Sequence, residues 1–102
     1  MRFVYLLEAA VLEAEAAARW YEDRRTGLGR DFRDELERVI EVLRSDLLTA
    51  HPWPGSLGER GVKRIGMKRF PFDVVFVVSN TTATVLAIAH HRKRPGYWRN
   101  RA

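Results

Sequence analysis

The amino-acid sequence predicts an α+β fold: an antiparallel sheet with an α-helical hairpin packed on one face, in the order β-α-α-β-β-β. Two observations carry this. Apolar residues recur at helical spacing between residues 9 and 47 and at strand-like spacing between 61 and 91, with the proline-rich stretch HPWPGSLG separating the two regimes. Charge divides at the same place. Residues 8 to 46 hold 7 Arg and 11 Asp or Glu, whereas residues 59 to 102 hold 10 Lys or Arg and 2 acids, so the net charge of +5 is concentrated in the second half.

Each element follows from its local composition. RFVYLL, residues 2–7, is short and rich in β-formers, and reads as the opening strand. Leu12, Ala16 and Trp20 then recur at i, i+4 and i+8 with Ala9, Ala17 and Tyr21 beside them. This spacing predicts an amphipathic helix that buries the stripe and leaves Glu13, Glu15, Arg19 and Glu22 in water. A second helix carries Leu28, Phe32, Leu36, Val39, Ile40, Leu43 and Leu47 as one apolar row. The connection between them, RRTGLG, is short and marked by Gly27 and Gly29, which forces the two helices antiparallel. Pro52 and Pro54 end the hairpin in a loop, extended by glycines at 55, 58 and 61. In GVKRIGMKRF, Ile65 and Met67 fall on one face of a strand, with Arg64 and Lys68 on the other. Pro71 makes FPF a bend. DVVFVV, residues 73–78, is apolar at nearly every position and is assigned to the centre of the sheet with both faces covered. SNTT is the next turn and ATVLAIAHH the last strand.

Composition narrows the function classes. At 102 residues, 46% apolar and 30% charged, the chain is sized for a single soluble domain spanning residues 1–102. There is no cysteine. Disulfide frameworks and thiolate zinc sites are therefore excluded, and a reducing cytoplasm is compatible. Glu8, Glu13 and Glu15 interrupt the first apolar run, and no stretch approaches ~18 uninterrupted apolar residues, so no membrane association is expected. The sequence contains no P-loop, dinucleotide-type glycine fingerprint, HExxH motif or Ser/His/Asp order. No cofactor and no metal are expected.

Chemistry is left to the basic half. Lys63, Arg64, Lys68 and Arg69 form a basic strand, which the sheet should bring beside Arg92, Lys93 and Arg94 on its exposed face. Such a surface suits a polyanion or an acidic peptide. His90 and His91 are adjacent, so a strand points them to opposite faces, one against the helices and one outward. Trp98 is expected to dock back onto the domain with its indole N–H satisfied at the rim. Tyr97 either stands among cations that should lower its pKa, where it would exchange a proton at a phosphate, or lies beside the core and packs there.

Four local strings in order, RWYEDR, GLGRDF, RFPFDVVF and VLAIAHHRKRPGYWRNR, give the chain a resemblance over nearly its whole length. It resembles the RelE/ParE toxins of bacterial type II toxin–antitoxin systems, also called plasmid stabilisation proteins. The resemblance implies a cytoplasmic growth-inhibiting toxin in a hetero-oligomer with a cognate antitoxin, whose tail wraps the helices and sheet. It implies one of two targets. ParE-type relatives poison DNA gyrase; RelE-type relatives cleave messenger RNA on the ribosome. For cleavage, similarity assigns Arg64 and Arg92 to phosphate and Tyr97 or His91 to the proton, with Lys93 as an alternative cation. One residue departs from the nuclease pattern: after the bend, where nuclease relatives carry an arginine, this chain has Asp73, which would repel a phosphate. The ParE side is therefore expected, with Arg64, Lys68, Arg69, Arg92 and Arg94 as contact surface. A non-toxic basic binding module is the third reading.

Overall fold

The helical and strand-like halves of the sequence form separate layers. The computed structural model describes residues 1–45 and 50–102. The elements in order are β1 (Phe3–Leu6), α1 (Glu8–Arg24), α2 (Leu28–Ser45), β2 (His51–Pro52), α3 (Ser56–Glu59), β3 (Val62–Gly66), β4 (Phe72–Ser79), β5 (Thr82–His90) and a closing 3-10 turn at Arg99–Arg101.

In α2 the apolar row behaves as its spacing predicts: Phe32, Leu36, Val39 and Leu43 are buried, with Leu28 and Ile40 packed beside them. Leu47 lies outside the described residues. The first helix differs. Its buried residues are Ala10, Ala17 and Ala18, whereas Leu12 and Trp20 are 56% and 52% exposed. The cause is the closeness of the helix pair. At Gly29 of α2 a Cβ would lie 2.5 Å from the carbonyl oxygen of Ala18, so only the small-residue side of α1 fits against α2. The junction is pinned by Glu22, whose carboxylate accepts the backbone N–H groups of Gly27 and Gly29 at 3.1 Å.

The five strands run in the order β1-β5-β4-β3-β2. All neighbours are antiparallel except β1 and β5. The parallel pair refines the wholly antiparallel expectation, and the intervening helices supply the long connection that parallel pairing requires. HPWPGSLG is also more ordered than a loop. His51 pairs with Arg64 and Pro52 with Lys63, and the N–H of Trp53 donates to Val62 O at 2.9 Å. Pro52 is tolerated because β2 is an edge strand, with no further neighbour among the described residues asking for its missing donor. At Gly58 a Cβ would lie 1.7 Å from the Trp53 carbonyl oxygen, so this glycine permits close packing and not looseness.

β4 occupies the centre, and Val74, Val75 and Phe76 are completely buried. Phe32, Leu36, Val74, Phe76, Val85 and Ile88 belong to the core beneath the helices. On the opposite face, Val62, Val75, Leu86, Ala87 and Ala89 form a second core with Trp98. Trp98 is 1% exposed and meets the Trp53 ring edge to face, centroids 4.8 Å apart. The C-terminal segment thus covers what the helices do not. The turn between β4 and β5 is the two residues Asn80 and Thr81, and Asn80 takes the left-handed conformation (φ 52°) that asparagine tolerates.

Candidate functional site

The C-terminal segment is fixed before it can present anything. β1 pairs with β5 only from Thr82 to Val85, so the outer edge of β5 beyond that point has no strand neighbour among the described residues. Side chains take its place. The Ile88 N–H donates to Glu13 Oε1 at 3.0 Å, and Arg101 donates to Leu86 O at 3.0 Å and to Glu13 at 3.1 and 3.2 Å. The Tyr97 hydroxyl donates to the other Glu13 oxygen at 2.7 Å. Glu13, assigned to water from the sequence, is the centre of a latch between α1, β5 and the C-terminus. Its effect on Tyr97 reverses the expected direction: burial first, then the Glu13 hydrogen bond and charge, raise the phenol pKa against a smaller opposing effect of Arg101. Tyr97 is a held donor in this arrangement.

The two histidines divide as adjacency requires. His90 turns toward the helices and meets Phe72 edge to face at 4.9 Å. Burial, with help from Arg92, His91 and Lys93, lowers its pKa, and its Nδ1 accepts the Arg92 N–H at 3.0 Å. His91 turns to the other face, where its Nε2 sits 3.1 Å from Asp73 Oδ1. Arg64 reaches the second Asp73 oxygen at 3.9 Å and lies over the Trp53 ring, 5.0 Å from its centroid. These groups, with Lys93 and Arg94, line a groove of about 650 Å³ floored by Ala89, Trp53 and Trp98. Neither Lys93 nor Arg94 pairs with an acid among the described residues. The groove can hold an anionic group against an aromatic floor. It cannot surround a phosphate with cations alone, because Asp73 stands between Arg64 and His91.

Lys63, Lys68, Arg69 and Arg92 do not line this groove, although Arg64 also lines a cavity with Lys68 and Arg69, and Lys93 one with Arg92. Lys63 falls on the helix side of β3, with Ile65, because neighbours on a strand alternate. Lys68 and Arg69 lie past the end of β3. Their backbone N–H groups both donate to Glu35, at 3.1 Å from Arg69, and the Arg69 side chain reaches Asp31 at 3.4 Å. Arg92 lines an adjoining cleft beside α1, which shares Lys93 and Tyr97 with the groove. Sequence reasoning passed over Glu13, Glu35, Arg101 and Trp53. Glu35 did carry a signal, since it sits within the apolar row of α2 and is only 5% exposed. An acid at a core position marks a buried acceptor.

No family model matches the chain, and no curated protein matches it. Among solved structures, a chain of the chromosomal ParDE toxin–antitoxin (TA) system from P. aeruginosa superposes with a TM-score of 0.72 at 18% identity, over 88% of this chain and 96% of that one. The fold is ParE-like. Within this ParE-like fold the groove is built on β3, β4, the end of β5 and the segment after it, so the β-sheet positions Arg64, Asp73 and Ala89 while the Glu13 latch holds Tyr97. Among the described residues no helix is long and apolar enough to cross a membrane, and no three or more His, Cys, Asp or Glu side chains are placed to hold a metal ion.

Proposed function

We propose that the chain, as one domain, is the cytoplasmic toxin of a type II toxin–antitoxin pair and stops growth by binding its target without cleaving RNA. DNA gyrase is the target that the ParE-like side of the resemblance implies, and a cognate antitoxin neutralises the toxin in a hetero-oligomer. The position of Asp73 carries the reading. Its carboxylate is within 4 Å of both Arg64 and His91, and a phosphoryl group entering there would meet a fixed negative charge where transition-state stabilisation needs positive charge. The phenol offers no substitute, because Tyr97 is bonded to Glu13 and its pKa is raised. Arg64, Lys93 and Arg94 serve instead as contacts to an acidic protein surface, with Trp53 as an apolar anchor.

The test is induction of the chain alone in bacteria, with DNA breaks, the DNA-damage response and transcript 5′ ends followed together. Growth should stop while breaks accumulate and transcripts keep their ends. New 5′ ends within codons, with DNA intact and no damage response, would overturn the reading in favour of a ribosome-dependent nuclease. Unimpeded growth would leave only a non-toxic basic binding module.

A further inference from the structure

Between α2 and the end of β3 lies a cavity of about 730 Å³, a size usual for a small-molecule site. It adjoins the groove, with which it shares Arg64 and Asp73. Val39 and Val42 line it from α2 and Ile65 from β3, and no tryptophan, tyrosine or phenylalanine among the described residues does so. Its apolar lining is therefore aliphatic. The charges around that lining do not cancel. Of its two acids, Glu35 accepts the backbone N–H groups of Lys68 and Arg69, and Asp73 is shared between Arg64 and His91. The Arg69 side chain leans on Asp31 at 3.4 Å. Arg38 and Lys68 pair with no acid among the described residues. Arg38 stands one helical turn from Glu35 on the same face of α2, and Lys68 is tied to Glu35 through its N–H, so the surplus positive charge gathers at one end.

Size and chemistry together define an occupant. The α2 side of the cavity runs from Glu35 to Val42, about 10 Å of helix at a rise of ~1.5 Å per residue. An extended peptide of about three residues already spans that length, so there is no room for a docked chain segment. A nucleotide base would find no donor or acceptor side chain on Val39, Val42 and Ile65. An aliphatic chain of the same length, headed by a phosphate, matches both the wall and the surplus charge. We propose that the cavity binds a small amphipathic anion, a phosphate ester with an aliphatic body, its head at Arg38 and Lys68 and its chain on Val39, Val42 and Ile65. The site stands on the cavity alone and does not depend on the toxin reading.

Calorimetric titration of the full chain with n-octyl phosphate, kept below the concentration at which it forms micelles, tests it. One molecule should bind per chain, roughly tenfold or more tighter than inorganic phosphate or n-octanol, because head and chain each use only half of the site. Adenosine monophosphate should bind more weakly than octyl phosphate. The bound probe should shift the methyl resonances of Val42 and Ile65 and leave that of Ile88, in the cleft beside α1, in place. The double variant Arg38→Glu, Lys68→Glu should weaken binding roughly tenfold or more. Arg30→Glu, Arg33→Glu makes an equal change of charge on α2 outside the cavity lining and should change affinity by less than about twofold. All four side chains are exposed, so the fold is retained. Absence of saturable binding, equal losses in the two double variants, shifts that fall on Ile88 instead, adenosine monophosphate bound as tightly, or binding to phosphatidate vesicles without binding to soluble octyl phosphate would each overturn the proposal.

Discussion

Glu35 shows how a single residue can tie the two layers together. It sits on the buried row of α2 and accepts the N–H groups of Lys68 and Arg69, where the chain leaves β3 and bends toward Phe72. Glu35 is only 5% exposed and lines a cavity with Val39, Lys68 and Arg69, so water replaces those bonds poorly. Glu35→Ala should therefore lower unfolding free energy in urea by about 2–4 kcal/mol, the cost of two stranded donors plus a small hole. Glu35→Gln keeps one acceptor and should lose about half as much. Equal stability of Glu35→Ala and the parent chain would refute the tie. At this scale the sequence was legible where geometry is local. Adjacent His90 and His91 had to face opposite sides, and they do. It was not legible where a partner comes from far along the chain: Glu13 meets Ile88, Tyr97 and Arg101 across 75, 84 and 88 residues, and no local pattern encodes that encounter.

The elements repeat the lesson. α2 and β4 were readable because large apolar side chains fill their buried positions at the right period. α1 was readable only in part: Tyr21 and Ala17 pack on the core as their spacing predicts, but the rest of the buried side is alanine, while Leu12 and Trp20 face out. The C-terminal segment is the other partly hidden element. Trp98 announced its burial by its cost in water, but the Glu13 latch changed the role of Tyr97 from a titrating phenol to a structural donor. The sign of the consequence is fixed. Below the ordinary phenol pKa of about 10 the hydroxyl is protonated in both folded and unfolded chains, and its stabilising contribution is fully present. As pH rises above that value the unfolded phenol ionises first while the folded one stays protonated, so stability falls toward the raised folded pKa. Burial also raises the Tyr21 phenol, so the phenolate absorbance of the native chain should show a late-titrating component that is smaller in Tyr97→Phe. Tyr97→Phe should also lose stability less steeply above pH ~10 than the parent. A native Tyr97 that ionises at the ordinary phenol pKa of about 10 would show that the latch does not hold.

For the whole molecule, the sheet is a partition between two cores of unequal cover. The helical hairpin closes one side, and a segment of twelve residues, reading HRKRPGYWRNRA after the last strand, closes the other. This arrangement makes presentation and stability inseparable: Lys93 and Arg94 reach the groove only because Tyr97, Trp98 and Arg101 are anchored a few residues later. If the segment is an integral wall, Trp98→Ala should cost about 3–5 kcal/mol, as a large aromatic removed from a filled core does. A chain of this size has only about 5–15 kcal/mol in total, so the variant should unfold at much lower urea and bind apolar dyes through the exposed second core. Arg94→Ala, on the exposed side of the same segment, should shift unfolding by less than about 0.5 kcal/mol while weakening target contact. The pair separates wall from contact surface. Should Trp98→Ala unfold with the midpoint of the parent, the segment would be an appendage, and the groove's cations would have no fixed place from which to meet a target.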